Sequence, residues 1–117
     1  MKRWETILGK VAFVNCDPLF HELPTPWEIL HAPPSWLTGH VLRKDCLLAP
    51  IPTADFAKNS DTLQLLPNIC IASDGAVGSV LLFGNTDPSM MRDIALPTDS
   101  ATSRKLCMWL LKKMGLN

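Results

Sequence analysis

Apolar residues fall into short runs separated by prolines and polar clusters. The runs alternate between strand-like and helix-like spacing. Residues 9–15 read as a first strand that stops on Asn15. Residues 17–23 then read as a short helix, with Asp17 as cap and Pro18 at its first position. Residues 27–31 predict a second strand. Pro33-Pro34 breaks the chain, and Ser35 caps a helix to about Arg43 with Leu37, Val41 and Leu42 inward. Residues 46–51 predict a third, buried strand, and Pro52-Thr53 opens a helical turn over 54–58. Residues 63–66, 69–72, 77–83 and 94–96 predict further strands, with the Ser73-Asp74-Gly75 turn between the second and third. Gly78-Ser79 lies inside the third, where a glycine marks a bulge or a close backbone approach. Residues 100–114 form the clearest helix, with Leu106, Cys107, Leu110, Leu111 and Met114 on one face and Gly115 as its stop. Strands alternating with helices predict an α/β domain with a mostly parallel sheet flanked by helices.

Composition narrows the function classes. The 117 residues suit one domain rather than two. Eleven cations balance eleven acids, so the charge offers no footprint for nucleic acid or an anionic membrane. No apolar run approaches the ~20 residues of a membrane span. The N-terminus lacks the apolar core of a signal peptide, so a cytoplasmic location is expected. Cys16, Cys46, Cys70 and Cys107 form no paired motif and read as structural thiols in a reducing compartment. His21, His31 and His40 have no metal-ligand spacing, so no metal is expected. No phosphate-binding glycine loop occurs, which removes support for nucleotide binding.

Five ordered blocks bear a resemblance. They are Asn15 followed by Pro18-Leu19, Pro34-Ser35-Trp36-Leu37, Ala49-Pro50-Ile51-Pro52-Thr53, the stretch 69–80 (Ile-Cys-Ile-Ala-Ser-Asp-Gly-Ala-Val-Gly-Ser-Val), and 94–96 followed by Ser100-Ala101-Thr102-Ser103. Together they resemble the menaquinone-biosynthesis chorismate dehydratases (the MqnA-like family). The resemblance departs at Leu47, where the family carries Asp, and at Phe13, where it carries Tyr. It implies a lobe of the type II periplasmic-binding-protein kind. Family members run to more than twice this length, with substrate in a cleft between two lobes. The chain is expected to form a single domain over 1–117. In it, about 9–84 supply the first lobe and crossing strand, and about 92–115 start a second lobe that is largely missing.

The family removes water from chorismate to give 3-[(1-carboxyvinyl)oxy]benzoate, a step of menaquinone formation by the futalosine pathway. Aromatisation drives the reaction, so the site must hold two carboxylates, orient the leaving groups and exclude water. By resemblance, Asn15 and Ser79 are the catalytic candidates. Ser100, Thr102 and Ser103, at a helix start, are the substrate-carboxylate candidates. Read alone, Asn15 is equally a turn former, Ser79 a small strand residue and Ser100 an ordinary cap. The resemblance implies no cofactor and a small carboxylate, chorismate, as partner. A lone lobe also invites self-association into a homo-oligomer. The alternative is a non-catalytic binding module or relic, holding a small carboxylate or a protein.

Overall fold

A computed structural model describes residues 1–24 and 26–116 of the chain. It opens with a 3-10 turn, Arg3–Thr6, then strand β1, Ile7–Val11. A second 3-10 turn, Val14–Cys16, leads into the one-turn helix α1, Asp17–Phe20. Strand β2 covers Glu28–Ala32, helix α2 Pro34–Leu42 and helix α3 Thr53–Lys58. After a long irregular stretch holding one 3-10 turn, Pro88–Met90, helix α4 covers Ala101–Lys113.

β1 and β2 pair in parallel, in register from Ile7 opposite Glu28 to Val11 opposite Ala32. A parallel bridge joins Leu8 to Leu48, held by Leu47 N–H on Ile7 O and Gly9 N–H on Leu48 O, both 2.8 Å. β1 is thus central, and the expected third strand shrinks to one bridge. The first strand also ends earlier than residue 15. Its partner β2 runs into Pro33-Pro34, and a proline nitrogen has no proton to extend a ladder. The α/β class and the parallel pairing stand; the sheet is small.

The core lies between the sheet and α2. Leu37 and Cys16 are fully buried, with Val11 and Ala32 beside them. Packing across Gly9 is tight. A Cβ there would stand 2.6 Å from Ala49 Cβ and 2.8 Å from Leu37 Cδ2, so only glycine lets the strands and α2 approach this closely. Leu37 is inward as expected, Val41 is half-buried and Leu42 is exposed. α2 and α4 end alike. In α2, Asp45 N–H reaches His40 O and Lys44 N–H reaches Val41 O, with Lys44 at φ +62°. In α4, Leu116 N–H reaches Leu111 O and Gly115 N–H reaches Lys112 O, with Gly115 at φ +73°. Both are Schellman caps, and the expected glycine stop of α4 is one of them.

The four strands expected over 63–66, 69–72, 77–83 and 94–96 do not form. These residues lie outside regular structure, and Gly78-Ser79 occupies a turn closed by Val80 N–H on Val77 O. A strand is stable only when a neighbour takes its backbone hydrogen bonds, and none lies beside these segments among the described residues. Ile69, Ile71, Val80, Leu81 and Phe83 are exposed, Phe83 at 82%. α4 rests on α3, with Cys107 and Leu111 half-buried; Leu106, Leu110 and Met114, expected on the same inward face, are exposed. Of the cysteines, Cys16 and Cys46 are buried, Cys107 is intermediate and Cys70 is exposed, all four as free thiols. The radius of gyration is 16.9 Å, against roughly 13–14 Å for a compact domain of this length. No described helix is long and apolar enough to cross a membrane.

Candidate functional site

All three parallel segments leave the sheet at one edge and turn at once towards a helix. β1 passes through Val14–Cys16 into α1, β2 through Pro33 into α2, and the Leu48 segment through Pro50-Ile51-Pro52 into α3. Prolines stand at these entries because a first helical turn needs no proton on its nitrogen. This C-terminal edge is where parallel sheets bind ligands.

The start of α4 joins it from far along the chain. Ser35 Oγ, in the first turn of α2, donates to Thr98 O at 2.9 Å. Thr102 Oγ1, in the first turn of α4, accepts Ala54 N–H of α3 at 3.1 Å. Thr102 therefore caps a free amide of a different helix. Its oxygen is used as acceptor, which leaves its hydroxyl proton to donate. Ser35 is the reverse case, with its proton spent and its lone pairs open. Between α2 and α3, Thr38 Oγ1, on a residue only 7% exposed, donates to Asp55 Oδ2 at 2.8 Å and sets their spacing.

Of the expected site residues, the structure brings Thr102 into this edge by a direct bond. Ser100 is the N-cap of α4, but its side chain makes no capping bond. Ser103 is half-buried one residue beyond Thr102. Asn15 is not at a strand end. It sits in the Val14–Cys16 turn next to buried Cys16, and Asn15 itself is exposed. Ser79 is in an exposed turn rather than a strand, and among the described residues no hydrogen bond ties it to the edge. The contributions of Ser35 and of the Ala54 amide are absent from the sequence expectations. Their partners lie 63 and 48 residues away, and no local pattern announces contacts of that range.

The displaced acid–base groups lie elsewhere. The His40 hydrogen bond, opposed in part by burial and aided by Arg43, holds the Asp45 carboxyl below the usual range, at the far end of α2. Burial, with Asp45 adding to it, pushes the Cys46 thiol up. Hydrogen bonds from Ser89 lower Asp87. The edge thus presents hydroxyls, an amide side chain and helix N–H groups. Such a set suits binding and orienting an anion better than removing a proton. Among the described residues no group of three metal-ligating side chains occurs. An open concavity is lined by Lys10, Phe20, Trp27 and His31, among others. Its one lysine is engaged by Asp17 at 2.6 Å.

Residues 6–117 match the family described as menaquinone biosynthesis. A chorismate dehydratase of Thermus thermophilus is 36% identical over 110 residues. The alignment covers 93% of this chain and 41% of that protein, so the chain spans about two fifths of its relative's length. No solved structure matches the chain.

Proposed function

Because the chain belongs to the menaquinone-biosynthesis family, we propose that it contributes one wall of a chorismate dehydratase site. The observation that carries this reading is the identity with the Thermus thermophilus enzyme, which runs through nearly all of the chain. In the proposed reaction chorismate loses a ring proton and the neighbouring hydroxyl as water. A ring double bond forms, and 3-[(1-carboxyvinyl)oxy]benzoate results. The chain is read as the first lobe with the segment that crosses out of it (about 9–84, irregular beyond residue 59 in this structure) and the beginning of a second lobe (about 92–115) of a type II periplasmic-binding-protein architecture.

Each residue then has a task. Thr102, its oxygen held by Ala54 N–H, donates its hydroxyl proton to a substrate carboxylate. Ser100 and Ser103 flank it at the start of α4. A helix terminus adds about 0.3–1 kcal/mol to such an anion, and a hydrogen bond to a charged group about 1.5–3 kcal/mol. Positioning by several donors, rather than by the helix alone, therefore carries the binding. Asn15 and Ser79 orient the departing hydroxyl and the ring. A cytoplasmic setting fits a soluble metabolite as substrate.

A second reading, a non-catalytic module that holds a small carboxylate, is favoured by the exposure of Asn15 and Ser79. A proton NMR time course of chorismate with the protein separates the two, with Asn15→Ala as control. Growth of aromatic enolpyruvyl-benzoate signals, lost in the control, supports the lyase. Line broadening without turnover supports the binding module. Sharp, unchanged chorismate signals reject both.

A further inference from the structure

Charge is divided along this chain in a way its zero total conceals. Residues 60–100 carry five aspartates (Asp61, Asp74, Asp87, Asp93, Asp99) against one cation, Arg92, a net charge of −4. α4 carries Arg104, Lys105, Lys112 and Lys113 and no acid, a net charge of +4. Residues 1–59 balance to zero, six cations against six acids. Among the described residues the five salt bridges all lie within the first 45 residues, and none joins the acidic segment to α4. The two stretches carry equal and opposite net charge, and among the described residues no salt bridge joins them.

Both stretches also expose apolar side chains, the acidic one between its outer aspartates. The acidic segment exposes Leu65, Val80, Leu81, Leu82 and Phe83, each by half or more. α4 and its cap expose Leu106, Met108, Trp109, Leu110 and Met114, each by 45% or more. Surfaces of this kind on a chain are interaction sites.

We propose that the partner is a second copy of this chain. In it, the 60–100 segment of each copy lies against α4 of the other about a two-fold axis. A two-fold interface must be self-complementary, and the −4 and +4 surfaces meet that demand twice in one dimer. Ten large side chains, each offering roughly 100 Å² when wholly exposed and here exposed by 45–82%, amount to on the order of 600 Å² per copy, the larger part of an interface. A standard stable interface buries about 800 Å² per partner. From Leu63 to Phe83 only Asp74 is charged. The segment therefore lacks the charged residues that usually keep exposed strand-like stretches from pairing with another chain. The proposal goes beyond the lyase reading and does not depend on it, since it is tested without substrate.

The test is the mass in solution of the whole protein, by sedimentation equilibrium from about 1 to 100 µM. Circular dichroism serves as the folding control. A mass of twice 12.9 kDa is expected, weakening with added salt because exposed charge pairs are screened. Lys105→Glu with Lys112→Glu in one variant, and Asp74→Lys with Asp93→Lys in another, should each raise the dimer dissociation constant about tenfold. Mixing the two variants should recover a heterodimer tighter than either homodimer, because reversed charges then meet. A monomer throughout the range overturns the proposal. So does a dimer that tightens with salt, or one indifferent to the reversals. If either variant fails to fold, the wild-type mass and its salt dependence still decide.

Discussion

Residues 7–59 and residues 60–100 are both apolar, both punctuated by prolines and turns, and differ in almost everything else. The first region holds every fully buried side chain named in the core, two paired strands and three helices. The second holds one 3-10 turn and a row of exposed leucines, valines and isoleucines. Hydrophobic content therefore does not separate them. What separates them is whether each strand-like run has a neighbour in this chain. β1 has β2 on one side and the Leu48 segment on the other. Residues 69–72 and 77–83 have no paired strand beside them among the described residues, so no ladder takes up their backbone groups. A β-rich run is a half-structure that its surroundings complete.

The contrast is open to direct attack, and the largest effect should come from the core. Leu37→Ala removes a fully buried side chain between sheet and helix. It should cost about 2–5 kcal/mol, read as the shift of the urea midpoint. Leu81→Ala, equally apolar and 62% exposed, should cost under about 0.5 kcal/mol under conditions where the protein is monomeric. Equal costs would erase the distinction between the regions. Thiol accessibility sharpens the same boundary. Cys70 should react quickly with a disulfide reagent, and Cys46, buried and with its thiol pKa raised, only as the protein opens. A Cys46 that reacts as fast as Cys70 would mean that the core is not closed.

Smaller effects bear on how the packed region is finished. Lys44 holds a left-handed conformation at the end of α2, where glycine has no side-chain penalty. Lys44→Gly should raise stability by up to about 1 kcal/mol. That gain is reduced by loss of the Lys44 ammonium from the Trp4 ring face, 5.8 Å away. The smallest change should be the acid response of Asp45. Its pKa is lowered on folding, chiefly by His40, so its contribution is present above the ordinary carboxylate pKa. It fades as the pH falls through the lower folded value. Asp45→Asn should flatten the stability profile only in that acidic window. A change confined to neutral pH would assign the effect to another group.

How much can be read from residues alone follows the same division. The helices after Pro33-Pro34, Pro52 and Ser100, the glycine stop after α4 and inward Leu37 are legible, because prolines, glycine stops and helical spacing are local signals; the expected Ser35 cap does not form, since Pro33 is the N-cap and Ser35 Oγ bonds Thr98 O instead. The absence of strands over 63–83 is not, because the pattern that marks a strand carries no information about its partner. Asn15 is expected as the last residue of the first strand and instead lies in the turn beyond it, since Pro33-Pro34 on the neighbouring strand decides where β1 stops. Thr102 stands out for its place at a helix start, whereas its bond to Ala54 depends on how α3 and α4 meet.

That bond carries a consequence for the order of assembly. α3 has six residues, too few to persist as a helix alone in water, and its Ala54 amide waits for an oxygen 48 residues downstream. Ser35 waits still longer, for a carbonyl 63 residues away. Closing loops of that length is a late event in folding, because chain entropy is lost before the contact returns anything. During synthesis the sheet and α2 can form while the rest of the chain is still being made. The rim at their C-terminal edge is completed only when α4 arrives, so binding at that rim reports on the folding of the whole chain.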